Sequence, residues 1–105
     1  MAEAFGPGLL VPIASFAPEP YGLIRPIPTV IQPAESGFSA GFFDANVHAT
    51  GDNEEEALRN LKGLILDVFD SLSREPARNL GPEPRRQLAV LQEFVFRKAG
   101  GAHPG

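Results

Sequence analysis

The side chains best suited to chemistry lie between Asp44 and Glu56, where a histidine and several acids fall close together. Numbered as a calcium loop of the EF-hand type, this segment has oxygen ligands at the first, third, ninth and twelfth positions, which are Asp44, Asn46, Asp52 and Glu55. The match fails at the sixth position, because the turn of that loop needs glycine and the chain has Ala49. The strand-like GFSAGFF also stands where the motif requires a helix. We therefore expect no calcium site.

A zinc or catalytic site built on His48 has little further support in the sequence. Catalytic zinc sites usually take three protein ligands, whereas the chain has no cysteine and its second histidine is His103, near the end. No serine lies in a G-x-S-x-G nucleophile motif. We expect no catalytic residue, no bound metal ion and no cofactor. Metal-dependent hydrolysis by Asp44, His48 and Asp52 is kept as an alternative.

The acids after His48 are better explained as the opening turn of a helix. The first N–H groups of a helix lack partners and lie at the positive end of the helix dipole, so a capping Asn and nearby acids stabilise it. Asn53 precedes three glutamates, and Glu56 stands three residues after it, as in a capping box. The predicted helix covers residues 53–72. Its apolar residues recur at helical spacing: Ala57, Leu58, Leu61, Leu64, Ile65, Val68, Phe69 and Leu72.

The segment before this helix has the pattern of a small antiparallel sheet. IPTVIQ is rich in β-branched residues, PAESG is typical of a turn, and GFSAGFF alternates apolar and small residues, which together predict a β-hairpin. Pro26 and Pro28 cannot donate to a sheet, so the first strand should lie at an edge or begin pairing only after Pro28. NVHAT predicts a short third strand with Val47 inward and His48 outward.

The two ends of the chain are rich in proline and glycine. Residues 1–20 form an apolar, Pro-rich lead-in that should dock on the domain or on another subunit, because its large apolar side chains would otherwise face water. A second helix is predicted near residues 83–97, within a domain of residues 21–98, and residues 99–105 should be a flexible tail. The fold class is therefore α+β: about three antiparallel strands over residues 22–50, one long amphipathic helix packed on one face, and a second C-terminal helix.

The net charge of −4 is unevenly distributed. Residues 1–72 hold three bases against ten acids, and residues 73–105 hold six bases against three acids. Binding to nucleic acid needs concentrated Lys and Arg, so the basic part, residues 73–105, is the only candidate for such a surface, with Arg85 and Arg86 as its candidate contacts. Nucleic acid is not the expected partner. The apolar start lacks a basic residue and contains Pro7 and Pro12, so no signal peptide or membrane span is expected. We expect a soluble, cytoplasmic protein.

Residues 27–65 resemble the HicB-like antitoxin family. The matching positions follow in the family's order, from the strand through the turn to the helix start: Ile27, Pro28, Val30, Ile31, Gly37, Phe38, Ala40, Asp44, Gly51, Asp52, Glu55, Glu56 and Ala57. The resemblance implies a partial RNase H-like fold, homo-oligomers, and neutralisation of a small RNA-cleaving toxin by a protein that is not itself a nuclease. Complete members add a C-terminal DNA-binding module, whereas residues 73–105 predict one helix. The resemblance is thus to a stand-alone HicB-like domain.

The expected mechanism is protein binding by surface complementarity, because the chain has more apolar residues than one helix and one hairpin can bury. The interface candidates are Phe42, Phe43, Asp44 and His48, and the C-terminal helix is a second possible surface. The expected partners are a second copy of the chain, as a dimer or larger assembly, and a small toxin protein. Two alternatives remain: a stand-alone oligomer without a toxin, and a weak nucleic-acid-binding regulator that uses Arg85 and Arg86.

Overall fold

A computed structural model of the chain describes residues 8–98 and has an α+β fold, as predicted. Leu9–Leu10 (β1) and Tyr21–Leu23 (β2) are followed by Val30–Ala34 (β3), Gly37–Phe42 (β4) and Val47–Gly51 (β5). The helices Glu54–Arg74 (α1) and Pro82–Gln92 (α2) come next, and Val95–Arg97 (β6) is the last element. Single 3-10 turns occupy Phe43–Ala45 and Ala77–Asn79. Within residues 8–98, neither helix is long and apolar enough to cross a membrane.

The main sheet is antiparallel and has four strands in the order β1-β3-β4-β5. The predicted hairpin is present, since β3 pairs with β4 and a two-residue turn separates Ala34 from Gly37. Gly37 has a φ of 141°, a conformation that only glycine adopts without strain. The strand β3 begins at Val30, after Pro28, although Ile27 already forms an antiparallel bridge with Ile13 ahead of that proline. The sheet has one strand more than the three or so that the sequence predicted, because β1 adds a fourth.

The described part of the lead-in, residues 8–20, belongs to the same domain. The Val11 N–H donates to the Thr29 carbonyl over 2.8 Å, and Ile13 and Ile27 exchange backbone hydrogen bonds of 2.9 and 3.0 Å. Ile13 and Phe16 are buried in the core. The lead-in therefore docks on its own chain, and the boundary at residue 20 does not separate it from the domain.

The helix α1 starts as the sequence predicts. The Glu56 N–H donates to Asn53 Oδ1 over 2.8 Å, so Asn53 is the cap. The Glu56 carboxylate accepts from the Asp52 N–H over 2.7 Å, one residue earlier than in the expected capping box. Three acids in the first turn complement the helix dipole.

We expect the Asn53→Ala variant to lose about 1 kcal/mol of unfolding free energy, because the capping acceptor is removed. Urea unfolding followed by far-UV circular dichroism measures this loss. Ser71→Ala, at an exposed site in the last turn of the same helix, is the control and should change stability by less than about 0.5 kcal/mol. Equal effects of the two substitutions would contradict a capping role for Asn53.

The stripe of α1 that packs on the sheet differs from the prediction at two leucines. Ala57, Leu61, Ile65 and Phe69 are buried, as predicted. Leu64 is 37% exposed, whereas Leu66, which the prediction left out, is buried. The segment Phe16–Tyr21 lies beside Leu66 on the flank of the helix that does not face the sheet, so a non-local contact changes which leucine is covered.

The second helix is shorter than predicted, because α2 ends at Gln92 and residues 95–97 form β6. The strand β6 pairs with β2 in a separate two-stranded antiparallel sheet, in which Leu23 lies opposite Val95. Phe94 and Val95 are buried in the common core, as their apolar character suggested, but they are not on a helix. The predicted flexible tail, 99–105, lies outside the described residues.

Candidate protein-interaction surface

The four predicted interface residues do not share one surface. Phe42 is 0% exposed and packs edge-on against Phe94, with ring centroids 5.1 Å apart. Successive residues of a strand point to opposite faces, and Phe42 lies on the face of β4 that α1 covers, together with Ala40. The prediction of Phe42 as an interface residue is corrected: its side chain belongs to the core and is not accessible to a partner.

Phe43 and His48 come together on the opposite face of the sheet. The turn Phe43–Ala45 ends at Asn46, which has a left-handed φ of 57° and donates its N–H to the Phe43 carbonyl over 3.0 Å. This reversal brings the Phe43 ring within 5.0 Å of the His48 ring, centroid to centroid, at an interplanar angle of 61°. Asp44 is exposed in the same turn. Phe43 and His48 thus form one accessible pair, with Asp44 beside it in the chain.

Gly41 leaves room on the sheet for the rings of Phe43 and His48. It lies opposite His48 in the pairing of β4 with β5. A Cβ atom at Gly41 would come within 2.6 Å of His48 Nδ1 and 3.4 Å of Phe43 Cζ, so glycine lets both rings lie close to the sheet. The His48 Nε2 atom is 3.2 Å from Asn46 Oδ1, which fixes the orientation of the imidazole.

The pair continues into a row of uncharged residues across the whole sheet. In register with Gly41 are Val30 on β3 and then Leu10 on β1, which is 66% exposed. We call this side of the sheet the outer face; its residues are Leu10, Val30, Gln32, Ser39, Gly41, His48 and Thr50, with Phe43 at its margin. None of them carries a formal charge, although 21% of the chain is charged. Charge is depleted in the same way at the centres of protein interfaces.

The alternative metal site at Asp44, His48 and Asp52 is not assembled. Asp44 precedes β5, His48 lies within it and Asp52 follows it. Four residues of extended chain span about 13 Å, so the side chains of His48 and Asp52 are too far apart to share an ion. Among residues 8–98, no three His, Asp or Glu side chains are placed to hold a metal together. The imidazole instead contacts Asn46 and Phe43.

The nucleic-acid candidates Arg85 and Arg86 are engaged within the chain. Arg85 Nη2 donates to the carbonyls of Ala77 and Leu80 over 2.9 and 3.2 Å, so it holds the turn before α2 in place. Arg86 pairs with Glu83 one helical turn away over 3.0 Å. Both arginines are exposed, and their helix packs against the turn Phe43–Ala45, since Gln87 Nε2 donates to the Ala45 carbonyl over 2.8 Å. Their role in nucleic-acid binding stays a prediction.

The sequence reasoning missed Leu10, Val30 and Gly41 as parts of the outer face. A signal was available in GFSAGFF, whose alternate residues Gly37, Ser39 and Gly41 are small and uncharged. The contribution of Leu10 could not be foreseen, because β1 pairs with β3 across a gap of about twenty residues. No known protein family, curated protein or solved structure matches the chain.

Proposed function

We propose that this protein is a non-enzymatic protein-binding module of the HicB-like antitoxin kind. In this proposal it binds a small RNA-cleaving toxin, or another protein, through the outer face of its sheet. The observation that carries the proposal is the uncharged row that ends in the exposed pair of Phe43 and His48. A toxin that cleaves RNA acts in the cytoplasm, so the proposal includes a cytoplasmic location.

The energetics of interfaces support this choice of surface. Aromatic side chains at the centre of an interface often contribute more than 1 kcal/mol each, because they bury a large apolar area and lose little conformational entropy. Phe43 is 54% exposed, so a partner that covers it removes apolar surface from water. The neighbouring hydroxyl and amide groups of Gln32, Ser39 and Thr50 offer hydrogen bonds for orientation.

The resemblance of residues 27–65 to the HicB-like family supports a small RNA-cleaving toxin as the partner. The four-stranded antiparallel sheet with α1 across one face agrees with the fold that the resemblance implies. If this chain has no toxin partner, the outer face of its sheet instead joins copies of the chain in a stand-alone oligomer.

The proposal is tested by identifying the neighbouring genes and co-expressing this chain with any small protein that one of them encodes. We expect that protein alone to arrest growth, and this chain to relieve the arrest and to co-purify with it. Phe43→Ser and His48→Ser should each raise the dissociation constant about ten-fold or more, measured by isothermal titration calorimetry. Ile24→Ser, which changes another exposed apolar residue just after β2, is the matched control and should bind normally.

Two results would count against the proposal. If the neighbouring protein neither arrests growth nor binds this chain, the antitoxin role is excluded. Normal binding by both the Phe43→Ser and His48→Ser variants, with circular dichroism spectra unchanged, shows that a different surface is used.

A further inference from the structure

The two-stranded sheet of β2 and β6 carries an aromatic ring that lies flat on its backbone. Phe96 is opposite Gly22 in the pairing of the two strands. A Cβ atom at Gly22 would lie nearest to Phe96 Cζ, and 2.8 and 2.9 Å from the two Cε atoms. These short and nearly equal distances put that position above the ring plane and not beyond the ring edge. One face of the ring therefore covers Gly22, and the ring is still 44% exposed.

This ring lies on the side of the two-stranded sheet that points away from the core. Paired residues of a sheet share a side, and successive residues alternate. Tyr21 and Val95 are buried on the core side, so Gly22 and Phe96 lie on the other. Ile24 continues this side, because its N–H donates to the Phe94 carbonyl over 2.7 Å, and it is 60% exposed. Among residues 8–98, no other aromatic ring stacks on Phe96.

A basic side chain lies at one end of this surface. The Lys98 N–H donates to the Pro20 carbonyl over 3.0 Å, so the strand pairing continues to Lys98, and alternation puts its side chain on the same side as Phe96. Lys98 is exposed and forms no ion pair with another residue of 8–98. Glu19, an acid close to it in the pairing, lines the groove beside α1 instead.

Arg25 supplies a second cation at the other end. Its ion pair with Glu93 spans 3.1 Å, and 56% and 60% of the two side chains are exposed. Exposed ion pairs of this kind contribute little stability, so an anionic ligand can take the place of Glu93. Lys98 is two residues from Phe96, and Arg25 is three residues from Gly22. The cations thus lie about 7 and 10 Å from the ring along the strands, on either side of it.

We propose that this side of the two-stranded sheet, which we call the stacking surface (Gly22, Ile24, Phe96 and Lys98, with Arg25 at its end), binds single-stranded nucleic acid. One base stacks on Phe96, and the phosphates on either side of that base lie near Lys98 and Arg25. Single strands are bound in this way elsewhere, by bases stacked on aromatic rings and by basic side chains along the sugar–phosphate backbone. The site is distinct from Arg85 and Arg86, which lie on α2.

The geometry favours a nucleic acid over a membrane or a protein as the partner. Side chains that insert into a bilayer project from the protein surface, whereas the Phe96 ring lies flat on the backbone of Gly22. The centres of protein interfaces are depleted of charge, as the outer face of the main sheet is, whereas two bases flank the ring of Phe96. A nucleotide base needs an open ring face with cations beside it, and the stacking surface has both.

The stacking surface is separate from the outer face of the main sheet, so binding to a toxin and binding to a single strand can be lost independently. Fluorescence anisotropy of the full chain with labelled oligothymidine and oligouridine of about ten nucleotides tests the proposal. Both strands should bind, and a hairpin-closed DNA duplex should bind about ten-fold more weakly, because its bases are stacked on one another. Raising the salt from about 50 to about 200 mM should weaken single-strand binding about seven-fold, since two phosphate contacts give a slope of about −1.4.

Substitutions at Phe96 test the stacking. Phe96→Leu should raise the dissociation constant for oligothymidine about ten-fold, because leucine keeps an apolar surface but offers no ring. Phe96→Trp should bind at least as tightly as the unchanged protein. The chain has no tryptophan of its own, so a base stacked on the new indole should quench its fluorescence, which a loss of fold would not imitate. Phe43→Leu, at an aromatic residue that is 54% exposed on the main sheet, is the matched control and should bind normally.

Charge reversal tests the phosphate contacts. Lys98→Glu should raise the dissociation constant about ten-fold, and Lys98→Ala should reduce the salt slope by about 0.7. Arg59→Glu makes the same change of charge at an exposed site on α1 and should have little effect.

Four results would overturn the proposal: no binding of either single strand at low salt, a duplex that binds as tightly as the single strands, normal binding by Phe96→Leu, or a tryptophan at position 96 whose fluorescence does not respond. Binding to phosphatidylserine vesicles without binding to either strand would assign the ring to a membrane instead.

Discussion

Replacing Phe42 by alanine is expected to lower the unfolding free energy by about 3–5 kcal/mol. Phe42 is 0% exposed and its ring contacts that of Phe94 at 5.1 Å between centroids, so truncation opens a cavity between β4 and the segment after α2. A domain of this size is stable by about 5–15 kcal/mol in total. The variant should therefore be partly unfolded at modest temperatures. It should lose partner binding only because it unfolds.

The adjacent Phe43 is the matched control. It has the same side chain and is 54% exposed, so Phe43→Ala should cost less than about 1 kcal/mol of stability while it weakens binding through the outer face. Urea unfolding of both variants, followed by circular dichroism, measures the contrast. Equal destabilisation by the two substitutions would contradict the assignment of Phe42 to the core and Phe43 to the surface.

These neighbours also show how far the sequence could predict the site. Alternation along a strand puts adjacent residues on opposite faces, so it was foreseeable that Phe42 and Phe43 would not lie side by side. Which of them is exposed depends on the face that α1 covers and on the turn at Asn46, whose left-handed backbone carries Phe43 back over Gly41. The covered face and the position of the Phe43 ring both depend on the tertiary structure, so the local sequence could not predict them.

The elements that were predicted well are those with local signals. The cap at Asn53 and its three glutamates mark the start of α1, and the turn before Gly37 marks the hairpin. In each case the residues that determine the structure lie within a few positions of one another, so hydrogen bonding and backbone preference decide the outcome. The fold class followed from these two elements.

The elements that were missed depend on distant partners. Leu91, Phe94 and Val95 continue the helical spacing of α2, and only pairing with residues 21–23 turns 95–97 into a strand. The two-residue strand β1 likewise exists through its pairing with β3. Short segments have weak intrinsic preferences, so tertiary contacts override them. The sequence contains no local mark of either pairing.

The β2 and β6 sheet is joined to α1 by one polar cluster, and breaking it is expected to cost about 2–3 kcal/mol. The Tyr21 hydroxyl donates to Asp70 Oδ2, and Arg97 donates to the other oxygen of the same carboxylate. Arg97 also lies over the Tyr21 ring, 5.4 Å from its centroid. Asp70→Ala leaves a partly buried hydroxyl and a guanidinium without their shared acceptor, whereas Asp70→Asn keeps an acceptor and should cost less. Urea unfolding of the two variants measures the difference.

The same cluster should make stability depend on alkaline pH. The hydrogen bond to Asp70 and burial both favour the protonated phenol and raise the pKa of Tyr21 above its ordinary 10.0, while Arg97 opposes the shift. In the unfolded chain the phenol ionises near its ordinary pKa. The stabilisation is therefore complete below about pH 10 and is lost as the pH rises through the higher folded pKa. Tyr21→Phe should remove this part of the pH dependence.

The ionisation can be observed directly, because Tyr21 is the only tyrosine of the chain. The ultraviolet absorbance of tyrosinate in the folded protein should appear at a higher pH than in the urea-unfolded protein. Asp70→Ala should move the folded titration back toward the unfolded one, since the acceptor and its negative charge are both removed. Identical titrations in the folded and unfolded states would mean that the cluster does not form in solution. In that case β2 and β6 would be held to α1 by apolar contacts such as the edge-on packing of Tyr21 against Phe69.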